Sequence, residues 1–285
     1  MLAIIGLVVV VIAVLGGYLA GGGHIFLIFE PWYEYIIVGG AALGGMIVKT
    51  NPRTLRLVIR KVIGVAKGDL PSSDTYLDAL KLIHDLGQIA RRDGLIALES
   101  HIQDPQKSPI FGKHSKILAR EQMVQFITDN LKLVVVGGIT HYDLELLMDT
   151  DIETIQEEHA TPQHILANTA DALPALGIVA AVMGIIKSME AVAEGPVVVG
   201  KKVAAALVGT FLGVLLSYGF VGPIALNVEL GNLEIIRILH VLKYGILGIA
   251  RGMNPKMAAE YARRAIYEGQ RPTFDELESQ LGRGV

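Results

Sequence analysis

The sequence predicts an all-α integral membrane protein in which four transmembrane helices carry a helical cytoplasmic domain. Three observations lead there. Of the 285 residues 52% are hydrophobic and only 19% charged, with a mean hydropathy of +0.48, more apolar matter than a soluble core of this size requires. The charges gather almost entirely in two blocks, roughly residues 49–171 and 229–285, which reads as water-facing protein alternating with lipid-facing protein. No strand pattern of convincing length occurs, Val197 to Val199 being too brief, whereas three- and four-residue apolar periods recur.

The first span is residues 1–23, which contain no charged residue and suffice to cross about 30 Å of hydrocarbon. A cleaved signal peptide fits less well, since no basic stretch precedes the apolar run. The second span is residues 32–49, opened by the aromatic cluster Trp32, Tyr33 and Tyr35 at the interface. Its uncharged core, from Tyr35 to Val48, is short for a helix standing alone in lipid. The third span, residues 166–190, has the same weakness: Ala172 to Ile186 lies between Asp171 and Lys187 and contains Pro174. The fourth, residues 201–228, is uncharged from Val203 to Val228 and carries Pro223 near its end. Paired glycines such as Gly16-Gly17, Gly39-Gly40, Gly44-Gly45 and Gly209 with Gly213 let helix backbones approach closely, within one chain or between chains.

Lysine and arginine set the orientation. The connection from Gly21 to Glu34 has neither, while Lys49, Arg53, Arg56, Arg60, Lys61 and Lys67 follow span two, and Arg237, Lys243 and Arg251 follow span four. Residues 50–165 and 229–285, and both termini, are therefore expected in the cytoplasm. Lys187, Lys201 and Lys202 in the outer loop pull the other way and are outweighed.

Within the cytoplasmic blocks the spacing predicts an amphipathic helix from Asp74 through Ala90. If it ran on, Arg91 and Glu99 would lie about 12 Å apart on one charged surface. A second helix is predicted over Ser115 to Val136, ending at Gly137-Gly138. Thr140 and Asp143 predict a capped helix start, and Thr161-Pro162 the start of the helix entering span three. After span four, Leu233, Ile236, Leu239, Leu242, Ile246 and Ile249 continue the membrane helix until Asn254-Pro255.

Without cysteine there is no disulfide, thiolate metal site or cysteine nucleophile, and no zinc-protease, hydrolase or phosphate-loop motif occurs. Neither an enzyme, a resident metal or cofactor, nor a nucleic-acid partner is expected. The uncharged stretches of the spans hold no ionisable side chain, His24 lying at an edge. Passage of a proton or cation would then need a carboxylate from a partner. Polar atoms inside the spans are few, those of Thr210, Ser217, Tyr218 and Asn227, and a simple kink suffices to explain each of Pro174 and Pro223.

Four blocks, in order, resemble the MotA family of flagellar motor stator proteins: Arg91-Arg92-Asp93-Gly94-Leu95-Ile96-Ala97-Leu98-Glu99; Leu173-Pro174-Ala175-Leu176-Gly177 through Gly184; Val208-Gly209-Thr210-Phe211-Leu212-Gly213 with Tyr218 through Pro223; and Arg271-Pro272-Thr273-Phe274-Asp275-Glu276-Leu277-Glu278. The resemblance implies a subunit of the inner membrane that forms an oligomeric ring, a pentamer, around a MotB dimer, whose helix supplies the ion-binding aspartate. It implies that Arg91 and Glu99 meet the rotor protein FliG, and that Pro174 and Pro223 flank the ion path with Ala181 and Thr210. The expected ion is H+ rather than Na+, because the methyl group of Ala181 cannot ligate a hard cation. Arg92 and Asp93 read as solvated charges. A motor of the ExbB or TolQ type, and a non-conducting membrane scaffold, are the alternatives.

Overall fold

The computed structural model describes residues 2–68 and 70–282; Met1 of the first expected span and Arg283, Gly284 and Val285 of the last expected segment lie outside them. The main helices are α1 (Leu2–Ala20), α2 (Trp32–Val48), α3 (Pro52–Lys67), α4 (Ser73–Asp93), α5 (Glu121–Val136), α6 (His141–Met189), α7 (Pro196–Val214), α8 (Gly222–Ala250), α9 (Pro255–Arg263) and α10 (Phe274–Leu281). Short helical turns connect several of them, and a π-helical segment, Leu215–Val221, joins α7 to α8. No strand occurs among the described residues. By length and composition α1, α6 and the continuous run Pro196–Ala250 can each cross a membrane, and α2 is a shorter apolar helix.

The chain divides into two compact units, Met1–Asp69 with Glu158–Gly231, and Leu70–Glu157 with Asn232–Val285. In the first, α1 buries no residue, and Leu2, Ile5 and Ile12 are exposed, the arrangement of a helix whose whole surface suits lipid or another chain. Helix α2 packs on α6 and α7 through Val38, Ala42, Leu173, Ala180 and Leu212. Helix α3 starts cleanly because Asn51 Oδ1 accepts from the Thr54 amide at 2.8 Å and Pro52 occupies its first turn. It ends at Gly68, whose φ of +66° few other residues adopt without cost. Its inner face places Val58 against Ile165 and Leu166 of α6 and Ala225 and Val228 of α8.

The second unit is a helical core built on α4, α5, the first turns of α6, the end of α8, α9 and α10. Helix α4 opens with a capping box in which Ser72 and Thr75 satisfy each other's backbone amides, and its apolar face buries Tyr76, Leu80, Ile83 and Leu86. The fully buried Ala258, Ala259 and Ala262 make one face of α9 small enough for close helix contact. A Cβ on Gly248 would lie 2.7 Å from the Ala258 methyl, so α8 and α9 touch almost backbone to backbone. Buried Lys243 is held by Asp149 at 2.7 Å and Glu145 at 3.7 Å. Arg263 binds Glu260 and donates to the Pro272 carbonyl at 2.8 Å, and Thr273 with Glu276 caps α10. This last pair of contacts gives the Arg271-Pro272-Thr273 block a structural role.

Two expected boundaries are corrected, and one conditional continuation is ruled out. Helix α4 does not run on to Glu99, because Gly94 has φ +87° and turns the chain into the short helices Leu95–Leu98 and Glu99–Gln103. The helix expected over Ser115 to Val136 is split. Ser115–Leu118 forms one turn, and an extended Arg120 (φ −113°, ψ 89°) precedes α5, which lets Ile117 and Met123 both enter the core. Thr161-Pro162 does not start a helix, since α6 runs unbroken through Pro162 and Pro174. Losing one backbone donor at each proline is tolerated where neighbouring turns and packed helices hold the rod. The start at Thr140 stands as expected, its hydroxyl accepting from the Asp143 amide at 3.1 Å.

Candidate functional site

The seam between α6 and α7 is built of residues too small to keep the two backbones apart. A Cβ on Gly177 would lie 2.7 Å from the Gly209 carbonyl and 3.3 Å from Thr210 Cα. One on Gly209 would lie 2.9 Å from the Ala180 methyl and 3.2 Å from the Ala181 amide, and one on Gly213 would lie 2.6 Å from the Leu173 carbonyl. Three of the sequence-predicted positions therefore fall together: Pro174 next to Leu173, Ala181 against Gly209, and Thr210 against Gly177. Ala181 is buried and Thr210 and Pro174 half-buried. The close approach is intramolecular here, whereas nothing lies within 4 Å of a Cβ placed on Gly16, Gly17, Gly39, Gly40, Gly44 or Gly45.

Pro223 is not on this seam. It is exposed and follows the π-helical segment, where the Gly222 amide reaches back to the Ser217 carbonyl across one residue more than in an α-helix. The wider turn gives room to the ring of Pro223, which in a regular helix would press on the carbonyl four residues back.

Sequence reasoning missed Glu34. Placed with the interfacial aromatic residues, it was counted outside the apolar core of span two. In the structure it belongs to the first turn of α2, is 0% exposed, and neither carboxyl oxygen has a hydrogen-bond partner. The space it occupies exists because two residues lack side chains: a Cβ on Gly209 would lie 2.5 Å from Glu34 Oε2, and one on Gly184 would lie 2.9 Å from Oε1. The signal was present as one charge inside an otherwise apolar segment, but only the fold shows that it points at the two glycines.

Arg91 and Glu99 are both exposed and belong to the second unit. Arg91 stands in the last turn of α4 and Glu99 opens the next short helix, with the Gly94 turn between them. Arg92 and Asp93 pair with each other at 2.8 Å on the open surface, so each largely neutralises the other beside Arg91. Arg91 also lines a cleft of about 1150 Å3 together with Lys81, His84, Asp85 and His114. His114 is buried, with Nδ1 2.9 Å from Asp78 and Nε2 3.2 Å from Asp85. Burial opposes its charge, but the hydrogen bonds and fields of the two carboxylates prevail and raise its pKa. Burial likewise opposes ionisation of Asp85, and its bonds to His114 and His84 overcome that and hold its pKa well below the usual carboxylate range.

Comparison with known proteins bears on the whole chain. The family model described as motility protein A N-terminal matches residues 4–94, and that of the MotA/TolQ/ExbB proton channel family matches residues 118–229. Arg91 falls in the first match, Pro174, Ala181, Thr210 and Pro223 in the second, and Glu99 between them. The chain is 36% identical to motility protein A of Salmonella typhimurium over 281 residues, 99% of this chain and 95% of that one. It is 32% identical to the chemotaxis protein LafT of Vibrio parahaemolyticus over 97% of both. In fold it is similar to a structure of C. jejuni MotAB, with a TM-score of 0.77 at 20% identity over 93% of this chain and 95% of that one. It is similar too to the flagellar MotAB stator complex from Bacillus subtilis, with a TM-score of 0.71 at 19% identity over 99% of both. Identity above 30% along nearly the full length of both chains places this protein in the motility protein A family.

Proposed function

We propose that this chain is the stator subunit of a bacterial flagellar motor: with MotB it forms a transmembrane proton channel and couples ion flow to torque on FliG. The observation that carries the reading is the α6–α7 seam. It brings Pro174, Ala181 and Thr210 to one narrow contact between two apolar helices, so that a change in how these helices pack moves all three together. Family membership over nearly the whole chain supports the same reading, and the match of residues 4–94 to the motility protein A model favours it over an ExbB- or TolQ-type motor. In this account the chain spans the inner membrane four times with both termini in the cytoplasm. It assembles as a pentameric ring around a MotB dimer whose aspartate takes up the ion. The apolar surface of α1 and the open glycines of α2 are then the faces turned to lipid and to neighbouring subunits.

Protonation of the partner's aspartate removes a charge from a low-dielectric site and changes which ring position that aspartate prefers, so successive protons drive the ring in steps. Protons rather than sodium ions fit because Ala181 offers a methyl group where a sodium site would place an oxygen. Arg91 and Glu99, exposed on either side of the Gly94 turn, present opposite charges to the rotor. Charge reversal, Arg91→Glu or Glu99→Lys, is expected to abolish swimming while membrane insertion and assembly with MotB persist. Normal motility in both variants contradicts the rotor contact.

A further inference from the structure

We propose that Glu34 is a proton-binding site of this chain itself, held as the neutral acid in a slot between α2, α6 and α7 and exchanging its proton when that slot opens. The inference rests on the stator reading above and adds to it an acid that is not the partner's.

Geometry makes the case first. Glu34 is fully buried, and both oxygens lack a hydrogen-bond partner. The carboxyl faces Gly184 and Gly209, and the Cβ positions of these two glycines also border Ala206 and Ala180, both fully buried. An ionised carboxylate in such surroundings forfeits its hydration and gains no hydrogen bond, only the field of Lys187, a net cost of several kcal/mol, whereas a neutral acid loses far less. Of the charged groups on the surrounding elements, only the field of Lys187 acts on Glu34, without a hydrogen bond. Lys187 of α6 lies over the Tyr33 ring, 4.5 Å from its centre, and Lys202 of α7 faces Glu194 at 3.6 Å. The Tyr35 hydroxyl donates to the Ile28 carbonyl at 3.1 Å. Packing alone is poorly served by a glutamate here, since leucine or methionine would fill the same volume without an unpaired acid.

Position makes the case second. Gly209, which gives way to Oε2, is the residue beside Thr210, and its other neighbours are Ala180 and the Ala181 amide. The carboxyl thus borders the seam proposed as the ion path. Gly184 is five residues before the end of α6, about 7.5 Å along the axis, which puts the acid toward the outer end of the spans in the proposed topology. Releasing the proton leaves a carboxylate that the closed slot cannot hold. It must recruit water or Lys187, and either requires α2 to move from the α6–α7 seam. Proton exchange at Glu34 and opening of the seam are one event in this account, with the proton passing to water in the path and returning from the outer side.

The test uses the intact complex with its single-span partner in vesicles. Glu34→Gln keeps the shape of the neutral acid but cannot exchange a proton, so assembly is expected to persist while proton uptake falls at least about tenfold, with Glu34→Asp retaining part of it. In the infrared spectrum of the unmutated complex at neutral pH, a protonated carboxyl band is expected that shifts on carboxyl-13C labelling of glutamate, which leaves the partner's aspartate unshifted. Undiminished uptake in an assembled Glu34→Gln complex, or absence of a glutamate-dependent band, overturns the proposal. Uptake missing from the unmutated complex would count against the stator reading itself, so the two failures are distinguishable.

Discussion

Lys243 shows how a single residue of the helical core is stabilised by charge. Its ammonium is nearly enclosed, with Asp149 at 2.7 Å and Glu145 at 3.7 Å, and the carboxylates keep about a third or more of their surface in water. Removing Asp149 leaves an under-compensated buried cation, and Asp149→Asn is expected to destabilise the folded complex by about 1–3 kcal/mol, read as a lower melting temperature. An unchanged melt would show that Glu145 alone suffices. His114 gives a pH dependence whose sign follows from its partners. Its raised pKa means that its contribution is complete below the ordinary histidine range of about 6.5 and fades as pH rises through the raised value. Asp85, with its lowered pKa, contributes above the ordinary carboxylate range and fades as pH falls through the lowered value. The cluster is therefore strongest between the two, and amide-exchange protection of α4 should weaken as pH rises through the raised value of His114. In His114→Gln that pH trend should vanish, and its persistence would show that another group is responsible.

Helices obey the same logic through their small residues. Gly177→Ala would bring a methyl 2.7 Å from the Gly209 carbonyl, so α6 and α7 must separate at a cost of about 1–3 kcal/mol, and proton conduction should fall with it. Gly64→Ala in α3, where nothing lies within 4 Å, should instead stabilise by about 0.5–1 kcal/mol through helix propensity. Equal effects from the two, read by thermal unfolding of the complex, would argue against a close-packed seam. Much of this level was legible in the sequence. Uncharged runs marked the long apolar helices, Thr140 marked a helix start, Asn254-Pro255 marked the end of α8, and Gly209 with Gly213 marked close packing. What stayed hidden depended on tertiary neighbours. Pro162 sits within a rod that continues regardless, Gly94 takes a positive φ that ends α4 before Glu99, and Arg120 extends so that two apolar faces can turn inward. Glu34 was hidden for the same reason, since its burial depends on Gly184 and Gly209, some 150 and 175 residues away in the chain.

At the scale of the whole molecule, the chain combines a unit of apolar helices, which holds the α6–α7 seam, with a unit built on a helical core, which bears Arg91 and Glu99. In the proposed motor ion passage belongs to the first unit and rotor contact to the second, which predicts that Arg91→Glu separates them: proton conduction persists and rotation stops. Loss of both together would place Arg91 in the path rather than at the rotor. The central claim, that protons drive this stator, is tested most directly by the speed of single tethered motors powered only by this chain and its partner. Speed is expected to follow the proton-motive force and to hold when sodium is replaced by potassium at constant proton-motive force. A speed that collapses on sodium removal would contradict it.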